Sequence, residues 1–244
     1  MIEIKNLSKS FGEHKIWSDV NLTIEDGDTT AIIGKSGSGK SVLLKHMNAL
    51  MSPDEGTVLI DGEEIFGLRY VELRLVRQKF GVLFQGGALF DSIDTFNNVA
   101  FPLRYFTKMK EAAIKDRVQE CLEMVNLGKM GHKKTSELSG GMRKRVGLAR
   151  AIVMQPRYLL YDEPTSGLDP VTSEEINDMI IHLQNTLNIT SVVITHDMHS
   201  VLKVADKVAY IDEQKLSWSG TIDEMRTADH ESMQEFIKAS EYKI

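Results

Sequence analysis

The chain has 244 residues, 42% of them apolar, with 29 Lys and Arg against 35 Asp and Glu and a net charge of −6. That length suits one large domain or two lobes of one functional unit, and the apolar share excludes wholesale disorder. The acidic balance offers no general attraction for nucleic acid or anionic headgroups, and a single cysteine, Cys121, excludes an internal disulfide or a cysteine metal cluster.

The N-terminus, MIEIKNLSKS, has no apolar core of a signal peptide. No stretch approaches the ~20 apolar residues of a membrane-spanning helix. A membrane function therefore requires a partner that supplies the spanning helices.

Residues 1–24 alternate in places (Ile2, Ile4; Val20, Leu22, Ile24) and predict two half-buried strands. Asp26-Gly27-Asp28 reads as a turn, and Thr29 to Ile33 as a short β-branched strand running into a glycine-rich loop. A helical pattern follows from Ser41 to about Leu50, then a strand over Thr57 to Ile60 closed by Asp61-Gly62. From about Gln85 to Gln155 helical signals dominate. Ile114, Val118, Cys121, Leu122 and Val125 fall at helix spacing, with Gly128 as the expected C-cap. Cys121 lies on that apolar face, a core position. A further helix is predicted from near Ser139 to before Pro156. Tyr158 to Tyr161 is an apolar strand ending in Asp162-Glu163, Val171 to Leu187 a helix, and Ser191 to Thr195 a buried strand. Val208 to Ile211 and Leu216 to Trp218 predict a hairpin, and the last twenty residues a polar-rich helical tail. Short apolar strands separated by helices point to a mostly parallel sheet.

Three of these strands end in chemistry. Gly34-Lys35-Ser36-Gly37-Ser38-Gly39-Lys40-Ser41 fits GxxxxGK[ST], with the required strand before it and helix after it. In such a loop the glycines let backbone N–H groups curl towards phosphate oxygens, and the next helix aims its positive end at the same place. Lys40 would reach the β- and γ-phosphates, and Ser41 would ligate Mg²⁺. Asp162 and Glu163 follow a second strand, where one carboxylate can face a metal and the other an attacking water. His196 follows a third strand, at the end where α/β sheets bind ligands.

Leu138-Ser139-Gly140-Gly141-Met142 resembles the LSGGQ signature of ABC-type ATPases, with Met142 in place of glutamine. The resemblance extends in family order from Phe11 to His196. It implies an α/β fold of the ABC ATPase type: a P-loop NTPase core with a mostly parallel sheet, an antiparallel β subdomain and an inserted helical lobe. The whole chain, 1–244, would be one such domain. Residues 1–84 and 156–220 would form the RecA-like core with the β subdomain, 85–155 the helical lobe, and 221–244 the tail. It implies Asp162 as the Walker B aspartate supporting Mg²⁺, Glu163 as the residue that polarises water, and His196 as the switch histidine contacting the γ-phosphate. Gln85 matches the Q-loop glutamine, which touches metal and water and links the lobes. Phe11 matches the aromatic ring stacked on adenine, a core phenylalanine being the alternative. Ser166-Gly167-Leu168-Asp169 matches the D-loop.

In that family the signature binds the nucleotide of a second subunit. Ser139 with the N–H groups of Gly140 and Gly141 would form a second anion-binding helix end, so two ATP molecules would be sandwiched in a head-to-tail pair of copies. Met142 lies beyond these donors, so catalysis should survive the departure from glutamine.

Gly86 to Ser92, Asn97 to Leu103 and Met142 to Arg150 are similar to the ATPases of Mce-associated lipid transporters, the Mla type that moves phospholipid between bacterial membranes. This implies a multi-span permease, an Mce-domain lipid-binding protein and, in some systems, a STAS-domain subunit as partners. It also implies a peripheral position on the cytoplasmic face of the bacterial inner membrane. Some apolar residues among Leu89, Phe90, Ile93, Phe96, Val99 and Phe101 would line the groove for the permease, the rest packing the lobe. An importer of amino acids or another small solute would carry the same catalytic set. A soluble ABC protein acting on DNA or ribosomes is the reading from another class; it is disfavoured by the charge and by the lack of paired ATPase units. A regulatory module without hydrolysis is disfavoured by the intact Lys40, Asp162, Glu163 and His196.

Overall fold

The computed structural model describes residues 1–240; the last four residues of the expected tail, 241–244, lie outside the described residues. In chain order the elements are β1 (Ile2–Phe11), β2 (His14–Ile24), β3 (Thr29–Gly34), α1 (Lys40–Met47), β4 (Glu55–Ile60), β5 (Glu63–Glu64), α2 (Tyr70–Gln78), β6 (Phe80–Leu83), α3 (Thr95–Phe106) and α4 (Glu111–Met124). They continue with α5 (Gly140–Ile152), β7 (Tyr158–Asp162), α6 (Pro170–Leu187), β8 (Thr190–Ile194), α7 (Met198–Val204), β9 (Lys207–Asp212), β10 (Lys215–Thr221), α8 (Ile222–Thr227) and α9 (Glu231–Ala239). The chain forms two compact units, one of residues 1–77 and 190 onwards, the other of residues 78–189.

In the first unit an antiparallel sheet runs in the order β2-β1-β4-β5. The long β1–β2 pairing is interrupted by register shifts between Ile4 and Ser10, which explains why the predicted alternation held only in places. A second layer is built on β3, flanked in parallel by β8 and β9. Every residue of β3 and β8 is buried. Both faces are covered, so these strands are continuous apolar runs rather than alternating ones. The β9–β10 hairpin turns at Glu213 and Gln214, both with positive φ, as a two-residue hairpin loop matching the strand twist requires.

The tail is docked. Met225, Met233 and Ile237 of α8 and α9 join Ala31, Ile33, Val208 and Tyr210 in one buried cluster. Thr221 starts α8 with a reciprocal capping box to Glu224, fixing the chain direction as it leaves β10.

The second unit packs α3, α4 and α5 together and carries β6 and β7 as a parallel pair, Phe80 opposite Tyr158. Ile114, Val118, Cys121 and Leu122 are buried on α4, as the helix spacing predicted. Burial pushes the Cys121 thiol up to about 11, so this cysteine is a packing residue, not a nucleophile. The C-cap expectation is corrected. α4 ends before Gly128, with Asn126 in the left-handed conformation. The Leu127 N–H reaches the Leu122 carbonyl at 2.7 Å and the Asn126 N–H the Glu123 carbonyl at 2.9 Å. Asparagine thus fills the place usually held by glycine in this motif, and buried Leu127 completes it.

Candidate nucleotide site

In the first unit, β3 delivers the chain into the glycine-rich loop and α1 begins at Lys40. Gly34 is buried between strands, where a Cβ would lie 2.5 Å from the Ile211 carbonyl oxygen. Gly39 has φ of 87°, and a Cβ there would meet Ile16 and Trp17 of β2 at 2.6 and 2.8 Å. These two positions therefore admit only glycine without rearrangement. Lys35, Ser36 and Gly37 form the exposed crest, with Ser38 partly buried behind it. The Lys40 ammonium is buried and donates to the carbonyls of Gly34 and Lys35 at 2.8 and 3.0 Å, spanning the loop.

Two observations fit a phosphate. The N-cap of α1 is Gly39, which has no side chain to cap the helix, and its first turn holds no acidic residue. The Ser38 hydroxyl is buried and makes no hydrogen bond within the protein, a cost that a ligand oxygen would remove. Ser41 is the second residue of α1, half-buried.

Ile32 of β3 is in register with Ile194 of β8. Gly34 and His196 each lie two residues further on, so the loop and the exposed His196 share the C-terminal edge of neighbouring parallel strands. Phe11 ends β1 and is 48% exposed, with the Lys9 ammonium 5.7 Å from its ring centre. The alternative of a core phenylalanine is overturned: the ring faces solvent.

In the second unit, β7 ends at Asp162 and the chain turns sharply. Glu163 adopts φ of 50°, so the backbone leaves the strand direction directly after Asp162. The Glu163 carbonyl accepts from the Ser166 N–H at 3.2 Å, which closes the turn. Gln85 is exposed beyond β6, and its amide donates to the Ser166 hydroxyl at 3.3 Å. Asp169 caps α6 by accepting from the N–H groups of Val171 and Thr172, with Pro170 opening the helix. The Thr172 hydroxyl and these amides hold the Asp169 carboxyl below the usual carboxylate range.

Ser139 is the N-cap of α5, its hydroxyl oxygen accepting from the Met142 N–H at 3.2 Å. The hydroxyl proton stays able to donate outward. Gly140 and Gly141 form the first turn. A Cβ on Gly141 would lie 2.4 Å from Thr172 Cγ2, and that threonine is tied to Asp169 by a 2.6 Å hydrogen bond. Gly141→Ala should therefore destabilise the protein by about 1–3 kcal/mol through overpacking, read as a lower urea midpoint. An unchanged midpoint would mean that Thr172 swings aside freely.

A family model for the ABC transporter matches residues 17–166. The chain belongs to the ABC transporter family. It is an ATP-binding subunit and an ATPase. The cassette is 43% identical to the probable ribonucleotide transport ATP-binding protein mkl of Mycobacterium leprae, over 97% of this chain and 68% of that one. It is 41% identical to the intermembrane phospholipid transport system ATP-binding protein MlaF of Haemophilus influenzae, over 98% of this chain and 90% of that one. It is 38% identical to the methionine import ATP-binding protein MetN of Clostridium tetani, over 99% and 76%. Its fold matches the dimeric structure of MJ0796, a bacterial ABC transporter cassette, with a TM-score of 0.84 and 33% identity over 91% of this chain and 99% of that one. A post-hydrolysis dimer of MJ0796 bound to ADP and phosphate matches at 0.83.

Sequence reasoning missed several residues of the cassette. Lys144 is 5% exposed on α5 and donates to the Glu163 carbonyl at 2.9 Å. Burial pulls its ammonium below the usual lysine range, and the charges of Asp162 and Glu163 act the other way. The signal was available: Lys144 stands three residues after Gly141 and four before Leu148, on the helix face that both bury. Arg150 donates to the carbonyls of Gly87 and Ala88, each at 2.8 Å, and so fixes the segment after Gln85. Asn98 is fully buried; its side chain accepts from the Phe90 N–H and donates to the carbonyls of Phe90, Ile93 and Asp94. That staple holds Phe90 out against Phe101, which stacks on Tyr105, an exposed aromatic row along α3. Phe90 and Phe101 are exposed, whereas Val99 is fully buried, dividing the apolar residues predicted to serve both groove and core.

Among the described residues no helix is long and apolar enough to cross a membrane.

Proposed function

We propose that this cassette works as a head-to-tail pair of copies and drives a membrane permease that moves phospholipid between bacterial membranes, from the cytoplasmic face of the inner membrane. The likeness to MlaF over 90% of that protein's length carries the cargo reading. The exposed row of Phe90, Phe101 and Tyr105 supplies an apolar surface for the permease. An Mce-domain protein and a STAS-domain subunit complete the proposed assembly.

Within each copy, Gly34 to Ser41 holds the ATP phosphates, with Lys40 neutralising the β- and γ-oxygens and Phe11 stacking on adenine. Ser41, Gln85 and Asp162 would hold a Mg²⁺ ion accompanying the nucleotide, and the ion would supply positive charge to the phosphate oxygens. Glu163 polarises the attacking water and His196 contacts the γ-phosphate. Ser139, Gly140 and Gly141 meet the nucleotide of the partner copy.

Affinity capture of the tagged cassette from detergent-solubilised native membranes tests the cargo reading. Co-purification with a permease and an Mce-domain protein, bearing phospholipid, is the expected result. The likeness to MetN favours a second reading, a small-solute importer. Capture of a permease with a solute-binding protein would establish that reading instead. Ser139→Arg separates binding from pairing: it should leave ATP binding to one copy intact and abolish ATP-driven dimerisation in gel filtration. A dimer that survives would remove the shared-site reading.

A further inference from the structure

Glu163 is held through its backbone as well as offering a carboxylate. Its φ of 50° places it in the left-handed region, which side chains with a Cβ disfavour. Its carbonyl oxygen accepts twice, from the Ser166 N–H at 3.2 Å and from the Lys144 ammonium at 2.9 Å. Ser166 alone makes the local turn; Lys144 comes from another element, α5, five residues after Ser139. A buried ammonium is costly unless its charge and hydrogen bonds are used, and an apolar side chain of the same length would fill this space. The same helix also fixes the segment after Gln85 through Arg150. One rigid element therefore carries the signature serine and grips both the Glu163 peptide and the Gln85 segment.

We propose that Lys144 is a positioning residue for hydrolysis: it holds the Glu163 peptide in the left-handed conformation that aims the carboxylate at the attacking water. This rests on the reading of Glu163 as the water-polarising group. Lys144 touches no reacting atom. Its effect passes through Glu163, and it makes the aim of that carboxylate dependent on the placement of the signature helix.

Lys144→Met keeps an apolar stem that ends one atom short of the nitrogen and removes the donor. With the carboxylate misaligned, kcat should fall about tenfold or more while KM for ATP stays within about twofold. In a Glu163→Gln background the same change should cost less than about twofold, because the group being aimed is already lost. A kcat within about twofold of wild type, a parallel rise in KM, or equal losses in both backgrounds would overturn the proposal. Lys144→Leu, also without a donor, serves if the methionine variant does not fold. A lowered kcat at unchanged KM supports the proposal, and wild-type kcat or raised KM overturns it. Unchanged turnover in Glu163→Gln alone would remove the reading of Glu163 itself. Slow Glu163→Gln beside a wild-type-like Lys144→Met would remove only the role of Lys144.

Discussion

Lys40→Ala is expected to lose productive ATP binding and, with it, turnover by at least about a hundredfold, since the ammonium is the group proposed to donate to phosphate oxygens. The structure adds a reason for the size of the effect. Lys40 is buried, and its ammonium already bridges the carbonyls of Gly34 and Lys35. Alanine removes the charge proposed to face phosphate and also the strut across the loop. Binding of a fluorescent ATP analogue, measured beside steady-state hydrolysis, should fall together with it. Retained hydrolysis would contradict the phosphate-loop assignment. The two contributions separate by thermal melting without nucleotide: a large drop in midpoint would report the strut.

The second large effect is Glu163→Gln. The side chains have nearly the same shape, and Gln tolerates the left-handed backbone of residue 163 as well as Glu does. ATP binding should therefore persist. Hydrolysis should fall about 10²–10⁴-fold, the usual contribution of a positioned general base. The ATP-bound pair should then accumulate, visible as a dimer peak in gel filtration that does not decay over the time wild type takes to turn over. Unchanged turnover would show that water activation lies elsewhere.

Much of the fold was legible because its central strands are short, apolar and bounded by turn residues. Thr29 to Ile33 and Ser191 to Thr195 were placed to within a residue or so. The glycine-rich loop after β3 was legible because Gly34 and Gly39 answer steric demands that few residues meet. What stayed hidden was set by long-range contact. The end of α4 was misplaced because Asn126, not a glycine, takes the left-handed position there. Trp17 packs against Gly39 from a strand distant in sequence, which no local pattern announces. Lys144 was hidden for another reason. It sits in a run of basic residues, Arg143-Lys144-Arg145, that reads as solvated charge. Only the helix phase, fixed by the Ser139 cap, turns that one lysine inward while Arg143 stays exposed.

The division of the chain into units also sets an order of manufacture. Residues 78–189 form one unbroken stretch, so its internal contacts can begin to form while the rest of the chain is still being made. The other unit is made from both ends of the chain. Ala31 and Ile33, which back the strand leading into the phosphate loop, are sealed by Met225, Met233 and Ile237. β3, which leads into the glycine-rich loop, therefore waits, with part of its apolar face uncovered, for helices made much later along the chain.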